Sequence, residues 1–134
     1  EVMARYPVHA CTDITGFGLL GHANEMAAAS AVDLEIDSSQ VPLLPEATEA
    51  AGMGLIPAGA SANREYLKQI QFDSAVPVAL QDLLFDPQTS GGLLFSLPAD
   101  QVDAVLQELW VAGPSVAACI GKVSCKGKGR IHVN

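Results

Sequence analysis

Cys11-Thr12-Asp13-Ile14-Thr15-Gly16-Phe17-Gly18-Leu19-Leu20-Gly21-His22 places a carboxylate, two threonine hydroxyls and closely spaced glycines directly ahead of an apolar helical pattern. Glycine reaches φ > 0 at little steric cost and lets backbone pass close to a neighbour or a ligand. From Gly18 the apolar positions Leu19, Leu20, Ala23, Met26 and Ala27 recur at helical spacing, so a helix is expected to begin there. Two readings of the stretch are open. In one, the helix start aims unsatisfied N–H groups and its dipole at a phosphate, while Asp13 holds the Mg²⁺ that accompanies a polyphosphate. In the other it is an ordinary helix start, with Thr15 as the cap and Asp13 merely favouring the dipole.

Working outward, residues 1–9 read as a lead-in, the end of a helix stopped at Pro7. His22 and Glu25 lie three apart and can meet on one side of the helix that starts at Gly18. Ala31-Val32-Asp33-Leu34-Glu35-Ile36-Asp37 alternates apolar and acidic residues, the pattern of a strand with one wet face. A short helix is expected from Pro45 through Ala51, ended by Gly52 and Gly54. Ile56 to Arg64 is rich in small residues and reads as a loop, with Asn63 and Arg64 as its inward-facing polar groups or Asn63 as a cap. Gln69–Asp73 reads as a strand and Pro77–Phe85 as a helix. Asp86-Pro87-Gln88-Thr89-Ser90-Gly91-Gly92 is a turn, more elaborate than a tight connection needs. The apolar strand Leu93–Leu97 after it is expected to be central and covered on both faces.

From Pro98 the positions Val102, Val105, Leu106, Leu109 and Trp110 define a packing helix that ends at Gly113-Pro114. Val116–Val123 and Arg130–Val133 are expected strands, joined through a turn at Gly127-Lys128-Gly129. Strands and helices alternate irregularly. That predicts an α+β domain with a mixed sheet of about four to six strands.

The chain has 134 residues, 49% of them hydrophobic but only 5% aromatic, so Ala, Val, Leu and Ile must fill the core. Phe17, Phe72, Phe85, Phe95 and Trp110 are its expected large pieces. The formal net charge is −8, which argues against a nucleic-acid partner. Lys122, Lys126, Lys128 and Arg130 gather near the C-terminus and read as a solvated turn before a phosphate patch. Cys11, Cys119 and Cys125 show neither CxxC nor zinc spacing. Their odd number, with no signal peptide, fits a reducing cytoplasm, and Cys119 is expected to be buried. No run reaches the roughly 18 apolar residues of a membrane-spanning helix. Opening on Glu1-Val2-Met3, the chain reads as a piece of a longer protein.

Thr12–His22, Ile56-Pro57-Ala58-Gly59 with Asn63-Arg64, Asp86–Leu94, and Ile120-Gly121-Lys122-Val123 together resemble, in order, the C-terminal domain of the selenophosphate synthetases (selenide, water dikinases). Members of the wider superfamily, which includes aminoimidazole ribonucleotide synthetase, tend to carry three glycines where this chain has Gly16-Phe17-Gly18. Phe17 therefore favours the selenium enzymes. The resemblance implies a layered α/β/α sandwich and conversion of ATP, selenide and water to selenophosphate, AMP and phosphate with Mg²⁺. It implies that residues 1–134 are one domain of a homodimeric two-domain enzyme. The partner N-terminal domain would hold most of the ATP site, further metal-binding aspartates, and a reactive Cys or Sec with a Lys.

Asp13 is then a Mg²⁺ ligand, and Thr12, Thr15, Gly16 and Gly18 are nucleotide contacts. No catalytic residue lies in this chain, Cys11 does not match the reactive position, and the chain alone is expected to be inactive. The alternatives are a purine-pathway synthetase of the same superfamily and a non-catalytic interaction or assembly domain.

Overall fold

The computed structural model describes residues 1–113 and 116–134. Six strands and five α-helices follow in the order β1 (Ala10–Asp13), α1 (Gly18–Ala29), β2 (Val32–Ile36), α2 (Ala47–Gly52), α3 (Ala58–Tyr66), β3 (Ile70–Phe72), α4 (Val78–Leu83), β4 (Leu93–Ser96), α5 (Val102–Ala112), β5 (Gly121–Lys126) and β6 (Ile131–Val133). The fold is α+β with a mixed sheet, as the alternation of elements predicts. Four strands lie in the order β3-β6-β2-β5. β6 runs parallel to both β3 and β2, and β5 runs antiparallel to β2. No helix among the described residues is long and apolar enough to cross a membrane.

The alternation in β2 is used as expected. Leu34 and Ile36 join Ile131 and Val133 in the core cluster, together with Leu19, Leu20 and Ala23 of α1 and with Leu84 and Phe85. Burying a side chain such as Leu20 or Phe85 contributes about 1.5–3 kcal/mol. Phe85 also meets Phe72 edge-on at 5.9 Å between centroids, and the Arg64 guanidinium lies over both rings.

On the opposite face of β2, Asp33 organises the last hairpin. Its Oδ1 accepts from the backbone N–H groups of Lys128 (2.9 Å) and Arg130 (2.8 Å), while Asn24 donates to the Gly129 carbonyl. The expected turn at Gly127–Gly129 is thus held by a carboxylate spent on backbone donors. Lys122 pairs with Glu35. Asp33→Ala should leave both N–H groups without that partner and cost about 1–2 kcal/mol. Urea unfolding, with amide exchange at 127–130, measures it.

β1 and β4 form a separate antiparallel ribbon, with Thr12 opposite Leu94 and Asp13 opposite Leu93. Several expectations change here. Residues 10–13 form the ribbon strand β1, which no local pattern announces. It is only four residues long and is stabilised by β4, at least 80 residues away in the chain. Leu93–Ser96 is a strand but not a central one, and Leu93 is 61% exposed. A continuous apolar run cannot distinguish a sheet centre from a ribbon whose outer face awaits a cover.

Residues 58–66 are helix rather than loop, because Ala58, Ala60 and Ala62 supply helix propensity and Pro57 enters extended. The helix at 45–51 begins later, at Ala47, after Glu46 in left-handed backbone. The strand expected at 116–123 is β5 at 121–126. The helix stop falls at Gly113, with φ of 138°, while Pro114 lies outside the described residues. Phe17 and Trp110, expected in the core, are each 49% exposed, and the Trp110 indole N–H donates to the Ala117 carbonyl. Cys119, expected to be buried, is exposed.

Candidate functional site

The segment between β1 and α1 is fixed from three directions. From the turn after α4, the Gly92 carbonyl accepts from the Ile14 N–H (2.9 Å), and the Gln88 N–H donates to the Thr15 carbonyl (3.0 Å). From α3, the Asn63 side-chain amide donates to the carbonyls of Gly16 (2.9 Å) and Phe85 (3.0 Å). From the core side, Gly18 takes φ of +70°, and a Cβ there would lie 2.7 Å from the Phe85 carbonyl carbon. The three long sequence motifs, at 12–22, 56–64 and 86–94, therefore meet at one place.

Glycines make the close approaches possible. A Cβ on Gly91 would stand 2.3 Å from the Ile14 carbonyl oxygen, and one on Gly59 would stand 2.9 Å from Pro87 Cγ. Asn63 faces inward as expected. Arg64 turns instead to α4, where it pairs with Asp82 and donates to Gln81.

The helix start itself is not an open anion site. The Gly18 N–H donates to the Thr15 carbonyl and the Leu20 N–H to the Leu84 carbonyl, and residues 18–21 are buried. Gly18 is thus a packing position, and its missing side chain accommodates protein backbone rather than a ligand. Nor does Thr15 cap the helix: the N-cap is Phe17, with no side-chain cap bond. The Thr15 hydroxyl instead lies 2.9 Å from His22 Nε2, while His22 Nδ1 lies 3.1 Å from Glu25. The expected His22–Glu25 contact is therefore formed. In the tautomer whose Nδ1–H faces Glu25, Nε2 accepts from the Thr15 hydroxyl, so the ring bridges the loop to the helix. The His22 ring also supports half-exposed Phe17, at 5.7 Å between centroids.

What faces outward is the end of β1 and the loop apex. Asp13 is exposed, and no ion pair engages its carboxylate among the described residues. Gly16 is exposed too, with nothing within 4 Å of the place a Cβ would take. Thr12 lies opposite Leu94, which packs on the core, so strand alternation puts it on the other face from Asp13. Its hydroxyl donates to the Asp13 carbonyl.

No group of three or more His, Cys, Asp or Glu side chains gathers among the described residues. A hard divalent cation takes six or more oxygen ligands, so a cation at the exposed Asp13 carboxylate would need further oxygens from phosphate, water or protein outside this chain. Nearby, burial raises the Asp86 carboxyl above the ordinary Asp range. Its proton is then held more tightly in the folded state, so stability falls as pH rises through that window. Asp86→Asn should raise the melting temperature slightly at neutral pH and leave it unchanged in acid. Thermal melts across pH check the sign.

Sequence reading missed how Asn63 bridges two motifs. The available signal was an asparagine set on the inner side of an Ala-rich segment.

The family model described as AIR synthase related protein, C-terminal domain, matches residues 1–134. The chain is 45% identical over 130 residues to a selenide, water dikinase of Clostridioides difficile (strain 630), covering 96% of this chain and 37% of that protein. It thus spans little more than a third of that curated relative's length. Among solved structures it is similar to hydrogenase maturation protein HypE, with a TM-score of 0.62 and 20% identity over 92% of this chain and 33% of that one. HypE in complex with ATP gives a TM-score of 0.57 at 19% identity, over 94% of this chain and 32% of that one. At these identities the likeness to the solved structures is one of fold.

Proposed function

The chain belongs to the AIR synthase related protein C-terminal domain family, and from that premise we propose that it is the C-terminal domain of an ATP-dependent selenide, water dikinase. The reaction converts ATP, selenide and water to selenophosphate, AMP and phosphate. Asp13 supplies one oxygen ligand to a Mg²⁺ on the ATP phosphates, and Thr15 and Gly16 line the same side of the cleft. Thr12 orients the end of β1, and Gly18 allows the loop to close against Phe85.

A bound Mg²⁺ neutralises phosphate charge and orients the transferring group. This chain's share is to present one carboxylate at the end of β1, ahead of a braced loop. The partner is an N-terminal domain of the same protein, with two such proteins forming a cytoplasmic homodimer. The reading is supported by the identity to a selenide, water dikinase and by the ATP bound to a protein of like fold.

The single observation carrying it is the meeting of all three motifs on the segment that directly follows Asp13, whose exposed carboxylate makes no ion pair among the described residues. The test is ³¹P NMR of the full-length protein with ATP and Mg²⁺, with and without selenide. Selenide-dependent AMP and selenophosphate are expected. ATP consumption that ignores selenide and follows an amide or formyl substrate would move the protein to the purine-pathway branch. Residues 1–134 alone should form no AMP above background.

A further inference from the structure

We infer that Asn63 is a positioning residue for the Asp13 carboxylate, an inference that rests on the proposed role of Asp13 as a metal ligand. A carboxamide has two N–H donors, and Asn63 Nδ2 serves two backbone carbonyls, those of Gly16 and Phe85. Those carbonyls belong to different segments. Phe85 is fully buried and is a fixed point of the core, whereas Gly16 is exposed at the apex of the loop that follows Asp13.

The asparagine therefore ties a solvent-facing apex to the interior across the helix α3 that carries it. Ile14, next to Asp13, is held by Gly92, and Thr15 is held by Gln88. Without Asn63 the chain from Gly16 to Phe17 loses its one side-chain hydrogen bond among the described residues. The remaining bonds upstream, Asp13 opposite Leu93, Ile14 on Gly92 and Thr15 on Gln88, all tie the segment to the β4 side, so loss of the Asn63 tie to Phe85 lets the end of β1 and its carboxylate shift with that side relative to the core. Groups that orient a metal ligand without touching the metal typically matter by about 10–100-fold in metal affinity or activity.

Asn63 is itself 9% exposed, so a variant there also perturbs folding. The experiment separates the two effects in the full-length protein. Asn63→Asp keeps the shape but sets an acceptor against two carbonyl oxygens, and Asn63→Ala removes the donor without adding charge. Val76→Ala, a core substitution outside all three motifs, serves as a control chosen for a comparable fall in melting temperature. Asp13→Asn is measured beside them.

The readouts are the Mg²⁺ concentration giving half-maximal binding of a non-hydrolysable ATP analogue by isothermal titration, which involves no turnover, and the Mg²⁺ concentration giving half-maximal ATP turnover. Both Asn63 variants should raise each about tenfold, while Val76→Ala leaves them unchanged. If Asp13→Asn shifts the Mg²⁺ dependence but neither Asn63 variant does, positioning by Asn63 is overturned and the role of Asp13 stands. If Asp13→Asn itself leaves that dependence unchanged, the Asp13 reading fails and this inference with it. If Val76→Ala shifts it as much as the Asn63 variants, or if neither Asn63 variant folds, Asn63 is a structural residue only.

Discussion

Gly18→Ala should destabilise the fold by about 2–5 kcal/mol, because two penalties fall on one methyl group. The first is conformational. Gly18 has φ of +70°, where an L side chain meets its own backbone at a cost of about 1–2 kcal/mol. The second is steric. The added Cβ would lie 2.7 Å from the Phe85 carbonyl carbon, 2.8 Å from its oxygen and 2.9 Å from the Asp86 oxygen. These are backbone atoms of a buried segment, so they cannot swing aside as a side-chain end does. Overpacking of this kind costs about 1–3 kcal/mol.

Gly54 separates the two terms. It has φ of +80° but nothing within 4 Å of its missing Cβ, so Gly54→Ala should lose only the conformational part, about 1 kcal/mol. Urea unfolding of both variants decides it. Equal losses would mean that the approach of Phe85 to α1 is loose, and the brace described for the loop would go with it.

That close approach also explains how far the sequence could be read. Local patterns were informative wherever a residue's neighbours in sequence decide its environment. The helix from Gly18, the alternation of β2, the amphipathic α5 and the turn at Gly127–Gly129 were all legible for that reason. Errors arose where a distant segment decides. Leu93–Ser96 looks like a core strand, yet it pairs with the ribbon strand β1, its one partner among the described residues, and Leu93 faces outward. Ile56–Arg64 looks like a loop because of Pro57 and Gly59, yet Gly59 is small to admit Pro87, not to make a turn. Phe17 looks like core material, but it stands half exposed against His22.

The candidate site shows the same division. The motifs that build it were visible as residues. Their convergence was not, since Asn63, Gly91 and Gly18 act on segments far from them in the chain. The glycines first attributed to a ligand divide accordingly: Gly18 accommodates protein, while Gly16 faces open space.

Asp13→Ala in the full-length protein should reduce selenide-dependent AMP formation on the order of a hundredfold or more. Its stability should stay within about 0.5 kcal/mol, since the carboxylate is exposed and no ion pair engages it among the described residues. Activity lost at unchanged stability is the pattern of a ligand-facing group rather than a structural one. Charge gives a further sign to test. A carboxylate facing phosphate oxygens with no cation between them repels them, and Coulomb's law puts such a like-charge contact near 1 kcal/mol at about 4 Å even in water. If Asp13 met ATP directly, Asp13→Asn would therefore tighten ATP binding. If it meets ATP through a shared Mg²⁺, Asp13→Asn weakens binding, and added Mg²⁺ restores part of it. Isothermal titration with a non-hydrolysable ATP analogue at several Mg²⁺ concentrations distinguishes the two. Tighter binding by the asparagine variant would remove Asp13 from the metal site, because a ligand that neutralises the cation's charge cannot improve the complex by losing its own.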